Sequence, residues 1–409
     1  MNDQSPLTNV PLPVHDHHPI ALQVIWLVAL SIMLSSLSAA LAQPDDGRPK
    51  LQILNGSDRR IDVFWLRSDT ERVSNGSVEP GKHVIISTTI GHRFVIVDSK
   101  NGSERTVTSE VRVQGFRYDP ADKDGIPAFY TQRVDVDGFP IVASKNVNAY
   151  ALKEAAYIVE LMLAERADVR EALVKSGSRL CILAYNEFTT DLPEFERMSR
   201  GWAPDPTMRE LPAKDFWDAR ARGTGGSLTD PYATCAEENV LGYPGDPYVA
   251  ECILIHEFAH LIHLRGMTNV DPTFNHRLHA TYKKAMAAGL WSGKYASVNH
   301  HEYFAEGVQC WFDNNRENDH DHNHVDTRAE LQEYDPGLAA MCKEVFGDTK
   351  LKYTKPATRL TGHMGGYDPS KAPRFEWPAR LNEAKRLIRR SAEIRNERAR
   401  ASEKEKQRE

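Results

Sequence analysis

Between Leu51 and Val113 the chain alternates short β-branched and aromatic runs with turn signals. LQIL, IDVFWL, HVIIST, FVIVD and TVTSEVRV are separated by stretches such as NGSD, SNGS, EPGK and SKNGS. Short apolar runs with Asn-Gly or Pro-Gly between them read as strands joined by tight turns. Residues 51–118 are therefore expected to form a small all-β sandwich. The Asn-Gly steps at Asn55, Asn75 and Asn101 recur too unevenly to mark a repeat, and a polar stretch, YDPADKDGI at Tyr118–Ile126, closes the region.

The period then changes. Asn148–Ala167 (NAYALKEAAYIVELMLAERA) gathers Ala151, Ala155, Ile158, Val159 and Met162 on one side of a helix built from good helix formers. Arg179–Tyr185 (RLCILAY) reads as a buried strand. Glu187–Thr234, rich in Pro, Gly, Asp and Arg, reads as a long irregular region, and Pro247–Leu264 and His300–Phe312 as two further helices. Strands mixed with helices over residues 130–352 predict a second domain of α+β class. Residues 353–409 are expected to be an irregular segment followed, from Ala379, by a charged tail that is helical in pattern, poor in core residues and solvated.

A chain of 409 residues has room for two such domains. A net charge of −6 with no basic stripe argues against a nucleic-acid partner. Five cysteines without a CxxC pair fit neither a disulfide framework nor a cysteine zinc site. Export would permit one disulfide and leave at least one thiol unpaired. Ile20–Leu41 carries no charge and runs into Ala40-Leu41-Ala42, a small-x-small cleavage pattern. Residues 1–42 are thus expected to be a signal peptide, 43–50 a linker, and the remainder secreted. The same run approaches membrane-spanning length, so an uncleaved signal anchor is the other reading, and membrane association is expected only in that case.

Ile255-His256-Glu257-Phe258-Ala259-His260 contains HExxH. Residues four apart share a helix face, so His256 and His260 can each turn a ring nitrogen toward one ion. Glu257, one step round the helix, lies where it can take a proton from a metal-bound water. The motif sits in an apolar run, ECILIHEFAHLIHL, where uncompensated His and Glu are costly to bury. His263 lies near the same face, but one straight helix cannot easily wrap three ligands round a tetrahedral ion. The HExxHxxGxxH pattern also fails, with His at 263 and Gly at 266. Glu302, in HEYFAE, completes a His₂Glu set for one zinc per chain. Its helix offers Phe304, Val308 and Trp311 as core partners, and Glu306 is expected to accept the spare N–H of a ligand histidine. His263 then becomes a wall or capping residue. Asp319–His324 (DHDHNH) reads as an exposed loop, and Cys252 as a small core hydrophobe.

HEFAH followed at a distance by EYFAE resembles the gluzincin arrangement, most closely the peptidase domain of the anthrax lethal factor family. That family carries a tyrosine seven residues before the ligand glutamate, which here is Tyr295. The resemblance spans about residues 137–350. It implies a zincin-like fold, cleavage of peptide bonds in a protein or peptide substrate, and a Tyr295 phenol that stabilises the tetrahedral oxyanion. Ala259 replaces the family's glycine, and the family's recognition domains have no counterpart, so substrate preference does not carry over.

Residues 50–115 are similar to the β domain of the von Hippel-Lindau tumour suppressor family. Asn55, Ser57, Val63-Phe64-Trp65-Leu66, Pro80-Gly81, Gly91-His92 and Asp98 keep their order and approximate spacing. The resemblance implies a peptide- or matrix-docking surface at Trp65 and His92. Asn75, Thr88 and Phe94 depart from the family's hydroxyproline pocket. The sequence thus points to a secreted two-domain zinc metalloendopeptidase. The alternative is a noncatalytic extracellular protein that binds proteins or matrix through the sandwich and keeps a vestigial zinc site.

Overall fold

The computed structural model describes residues 47–349, 351–391 and 393–394. The expected signal segment, most of the linker and the end of the tail lie outside them. The first strands are β1 (Lys50–Asn55), β2 (Ile61–Leu66), β3 (Arg72–Val78), β4 (His83–Ser87), β5 (Arg93–Asp98), β6 (Glu104–Thr108) and β7 (Val113–Tyr118). They form two sheets, ordered β4-β1-β7 and β3-β2-β5-β6. Alternation puts Leu51 and Ile53 of one sheet against Ile61, Val63, Phe94 and Ile96 of the other, in one shared core. Asn55 is consumed in holding this layer: its Nδ2 donates to the carbonyls of Arg59 and Val78 at 2.6 and 2.8 Å.

The second region opens with a hairpin, β8 (Gln132–Val136) and β9 (Phe139–Ala143). Asp137 and Gly138 between them both have positive φ, 45° and 87°, the turn that suits the twist of paired strands. Then come α1 (Ala149–Met162), α2 (Ala167–Lys175), β10 (Arg179–Leu183), α3 (Ala213–Arg220), β11 (Gly223–Thr224), β12 (Tyr232–Ala236) and α4 (Glu237–Leu241). They are followed by α5 (Ile253–Leu261), α6 (Phe274–Ala287), α7 (His300–Trp311), α8 (Arg328–Tyr334) and α9 (Pro336–Phe346). The sheet order is β11-β12-β10-β9-β8. β9, β10 and β12 run parallel, and the outer strands β8 and β11 antiparallel. A β region followed by an α+β region is thus what the chain forms.

The two regions are tied together. Asn269 accepts from the Val113 N–H at 2.7 Å and donates to the Val113 carbonyl at 3.0 Å, standing in for a strand partner at the start of β7. The Gly115 N–H bonds the Ser176 carbonyl at 3.0 Å.

Several expectations are revised. Residues 187–234 are not one irregular stretch: they contain α3, β11 and the start of β12, and they bury Phe188, Met208, Leu211 and Phe216. The chain beyond Tyr353 is irregular but packed. Buried Glu154 on α1 pairs with Arg359 and accepts from His363 Nε2 at 2.7 Å. The described part of the tail is helical over 382–391, and Leu381, Ala384 and Ile388, spaced by three and four residues, are buried against the cluster around Phe216. A thin apolar stripe in a charged helix suffices for docking. The helix expected from Pro247 begins at Ile253 and continues past Leu264 through a π-helical turn, Ile262–Met267. All five cysteines are buried and none is in a disulfide. No described helix is long and apolar enough to cross a membrane.

Arg222, the residue before β11, is fully buried. It pairs with Glu238 at 2.5 and 3.0 Å and donates to the Ala184 and Glu187 carbonyls. Arg222→Met would strand a buried carboxylate and should cost about 3–5 kcal/mol, with Arg222→Met/Glu238→Met costing less than the single change. Denaturant unfolding of the three chains measures both.

Candidate metal centre

α5 packs against the sheet, with the Phe258 ring 5.4 Å from that of Phe139 on β9. Its remaining face presents His256, Glu257 and His260, which are 3%, 4% and 3% exposed. α7 lies against it. Asn299 caps this second helix by accepting from the N–H groups of His301 and Glu302 at 2.7 and 3.0 Å, which sets Glu302 in the first turn.

Across this contact three ligand atoms converge. His256 Nε2 lies 3.1 Å from Glu302 Oε2, His260 Nε2 lies 3.3 Å from the same oxygen, and the two Nε2 atoms are 3.2 Å apart. Among the described residues, His256, His260 and Glu302 are the one group of three arranged to hold an ion. The tautomer of His256 follows from its other nitrogen. Gln309 donates from Nε2 to Glu251 at 2.7 Å, so its Oε1 must face His256 Nδ1, 2.8 Å away. Nδ1 therefore carries a hydrogen, which leaves Nε2 as the nitrogen that a cation at the centre would meet.

The residues fit a zinc ion. Two imidazole nitrogens and one carboxylate oxygen are a catalytic zinc donor set. The second oxygen of Glu302, Oε1, is buried and finds no hydrogen-bond donor among the described residues. The electrostatics also favour a positive charge at this point. Burial works against a charged His256, but the hydrogen bond and charge of Glu302 outweigh it and raise its pKa to about 10. Burial likewise opposes a charged Glu302, yet His260 and His256 hold it well below the usual carboxylate range. Burial pushes the Glu257 carboxyl up to about 7 against the pull of both histidines.

The other expected residues fall as follows. Tyr295 is buried beside the centre, its ring 6.1 Å from that of His256. Glu306 Oε1 is 3.5 Å from His256 Nδ1, farther than Gln309, so the hydrogen bond expected for Glu306 belongs to Gln309. Gln309 lies seven residues after Glu302, two turns along the same helix face, and that spacing was the available signal. His263 is outside the ligand group and bonds Asn275 Oδ1 at 2.9 Å. The DHDHNH run is not simply an exposed loop, because His322 is buried. The Trp65 and His92 rings lie 5.0 Å apart and tilted by 34° in the sandwich, outside the ligand group; Trp65 is half-buried against the sandwich core.

Glycines cover the centre. A Cβ on Gly223 would come within 3.0 Å of Glu257 Cγ, and one on Gly225 within 2.6 Å of His260 Cβ and Cδ2. The His260 Cβ is fixed to its helix and cannot yield. Gly225→Ala should therefore destabilise the chain by about 1–3 kcal/mol and weaken zinc binding, read by thermal unfolding with and without added zinc.

No protein-family model matches this chain, and no curated protein matches it.

Proposed function

We propose that this chain is a zinc metallopeptidase that hydrolyses peptide bonds, with a zincin-like second domain and a von Hippel-Lindau-like sandwich before it. The observation that carries the reading is the convergence of His256 Nε2, His260 Nε2 and Glu302 Oε2, with Glu257 beside them under a glycine-lined edge strand. Zinc held by the three ligands would supply Lewis-acid activation of water and of the scissile carbonyl.

The chain's own residues supply the rest. Glu257 accepts the proton of the attacking water and returns it to the leaving amine. Its carboxyl is buried, so bulk water does not compete for that proton. β11 is the outer strand of its sheet, antiparallel to β12. Its outer edge is the place for an extended peptide to add as a further strand, and glycine at 223 lets β11 itself lie directly against Glu257. Tyr295, against the His256 ring, is the donor assigned to the oxyanion. Secretion, expected from residues 20–42, fits a peptidase that acts on extracellular protein.

Elemental analysis should find about one zinc per purified chain, and none after His260→Ala. Glu257→Gln should keep the zinc and lose peptide turnover by on the order of 10²–10⁴-fold. A wild-type chain that takes up no zinc after reloading would defeat the reading; so would full turnover by Glu257→Gln.

A further inference from the structure

Behind His256 the buried polar side chains close into a ring. His256 Nδ1 bonds Gln309, and Gln309 donates to Glu251 Oε2. Glu251 Oε1 pairs with Arg316 Nε at 2.8 Å, and Arg316 Nη1 reaches Asp319 Oδ2 at 2.7 Å. Asp319 Oδ1 accepts from His322 Nδ1 at 2.8 Å. His322 Nε2 lies 3.3 Å from Glu306 Oε2, and Glu306 Oε1 returns to His256 Nδ1 at 3.5 Å. Arg316 sits between Glu251 and Asp319, and His322 between Asp319 and Glu306, so each carboxylate of the ring has a cationic neighbour.

His322 is the replaceable cation in this circuit. Arg316 already serves Glu251 and Asp319, whereas among the described residues the cationic side chain paired with Glu306, besides His256, is His322. Burial disfavours its charge, but Glu306 and Asp319 outweigh burial and raise its pKa to about 10. Without it, Glu306 keeps one donor, Asn315 Nδ2 at 2.9 Å, and faces His256 as an excess negative charge. That charge would draw the Nδ1 hydrogen away from Gln309 and tilt the ring, and with it the lone pair on Nε2.

The same short loop holds the other side of the centre. Asp319 Oδ1 also accepts from the N–H groups of Asp321 and His322, both at 2.8 Å, which fixes the loop. The Asp321 carbonyl then accepts from the Tyr295 N–H at 2.8 Å, and the Asp319 carbonyl from Lys294 Nζ at 2.9 Å.

We propose that His322 is a positioning residue for this centre: it holds Glu306 in register with His256 and anchors the 319–322 loop on which Tyr295 is seated. The proposal rests on the metal-centre reading above and adds to it a residue from outside both helices.

The test is a double-mutant cycle on the full chain, read by metal affinity and not by turnover. Zinc affinity is measured by competition with a chromophoric chelator, and the visible absorption of the cobalt-loaded chain reports ligand geometry. His322→Ala should bind zinc about 10–100-fold more weakly than wild type and shift the cobalt spectrum. Adding Glu306→Gln should recover most of that loss, because it removes the charge His322 compensates; independent structural losses would simply add. If circular dichroism shows that the alanine chain does not fold, His322→Gln takes its place with and without Glu306→Gln, and the same two outcomes decide. A wild type that binds zinc alongside a His322 variant of equal affinity and unchanged cobalt spectrum would overturn this inference alone, as would additive losses in the double variant. A wild type that binds neither metal would overturn the metal centre and this inference with it.

Discussion

Five ionisable side chains, His256, Glu257, His260, Glu302 and Glu306, are buried at the contact of two helices, none more than 4% exposed. Isolated charges in such a place would cost several kcal/mol each; His256, His260, Glu302 and Glu306 are paired within the cluster or with His322, and Glu257 lies in the field of the two histidines. The apolar positions of the two helices do the packing: Phe258, Ala259 and Leu261 on α5, Phe304, Ala305 and Val308 on α7. The polar positions between them then face each other and, at Glu306, the side chains of Asn315 and His322. Asn299 fixes where α7 begins, and Gln309 near its end sets the phase of that helix against α5, because its bond to His256 is one that a small rotation would break. The convergence of the three candidate ligand atoms is a consequence of helix packing as much as of the HExxH spacing.

The same constraint explains what surrounds the pair. The strand over Glu257 and His260 lies so close that residues 223 and 225 must lack a Cβ. Arg222 fixes one end of that strand. Arg265 fixes the loop beyond it, donating to the Ser227 and Leu228 carbonyls at 3.2 and 3.1 Å and to the Ser176 carbonyl at 2.7 Å. Ser176 also accepts from Gly115 of β7. The sandwich, the α2–β10 turn and the cover of the centre therefore meet at one buried guanidinium. The sandwich is braced against the second region, which any role in docking a peptide at Trp65 and His92 must accommodate.

Much of this was legible in the sequence where one period dominates. The alternating runs of 51–118 and the helices around His256 and Glu302 carried their own signals, and so did the buried strand at Arg179. What escaped was set by partners distant in sequence. Gly223–Thr224 is too short to show a period and is a strand only because β12 lies beside it. The hairpin at 132–143 carried a readable Asp137-Gly138 turn between alternating runs, so that omission was one of reading. Leu381, Ala384 and Ile388 are too sparse to predict burial without the Phe216 cluster they cover. At the centre, carboxylate chemistry drew attention to Glu306, whereas an amide held in one orientation by Glu251 makes the shorter bond to His256. His322 looked solvated because its neighbours are polar, but those neighbours are the charges that allow its burial.

The fate of His263 shows how local helix geometry selects among candidate ligands. On a regular α-helix a histidine three residues after His260 would lie near the same face. Here the helix passes into π geometry at Ile262, directly after the last α-helical residue. Its i→i+5 bonds put more residues into each turn, so positions from Ile262 onward lag behind the α-helical phase. His263 accordingly meets Asn275 and the ring of His301, 5.1 Å away, and burial together with its histidine neighbours keeps it neutral. The third position beside His256 and His260 is thereby left to a residue from another helix, and the capped first turn of α7 delivers Glu302 there. A carboxylate from a separate element completes the three-residue group without bending α5, and Arg265, within the π turn, reaches the loop beyond β11.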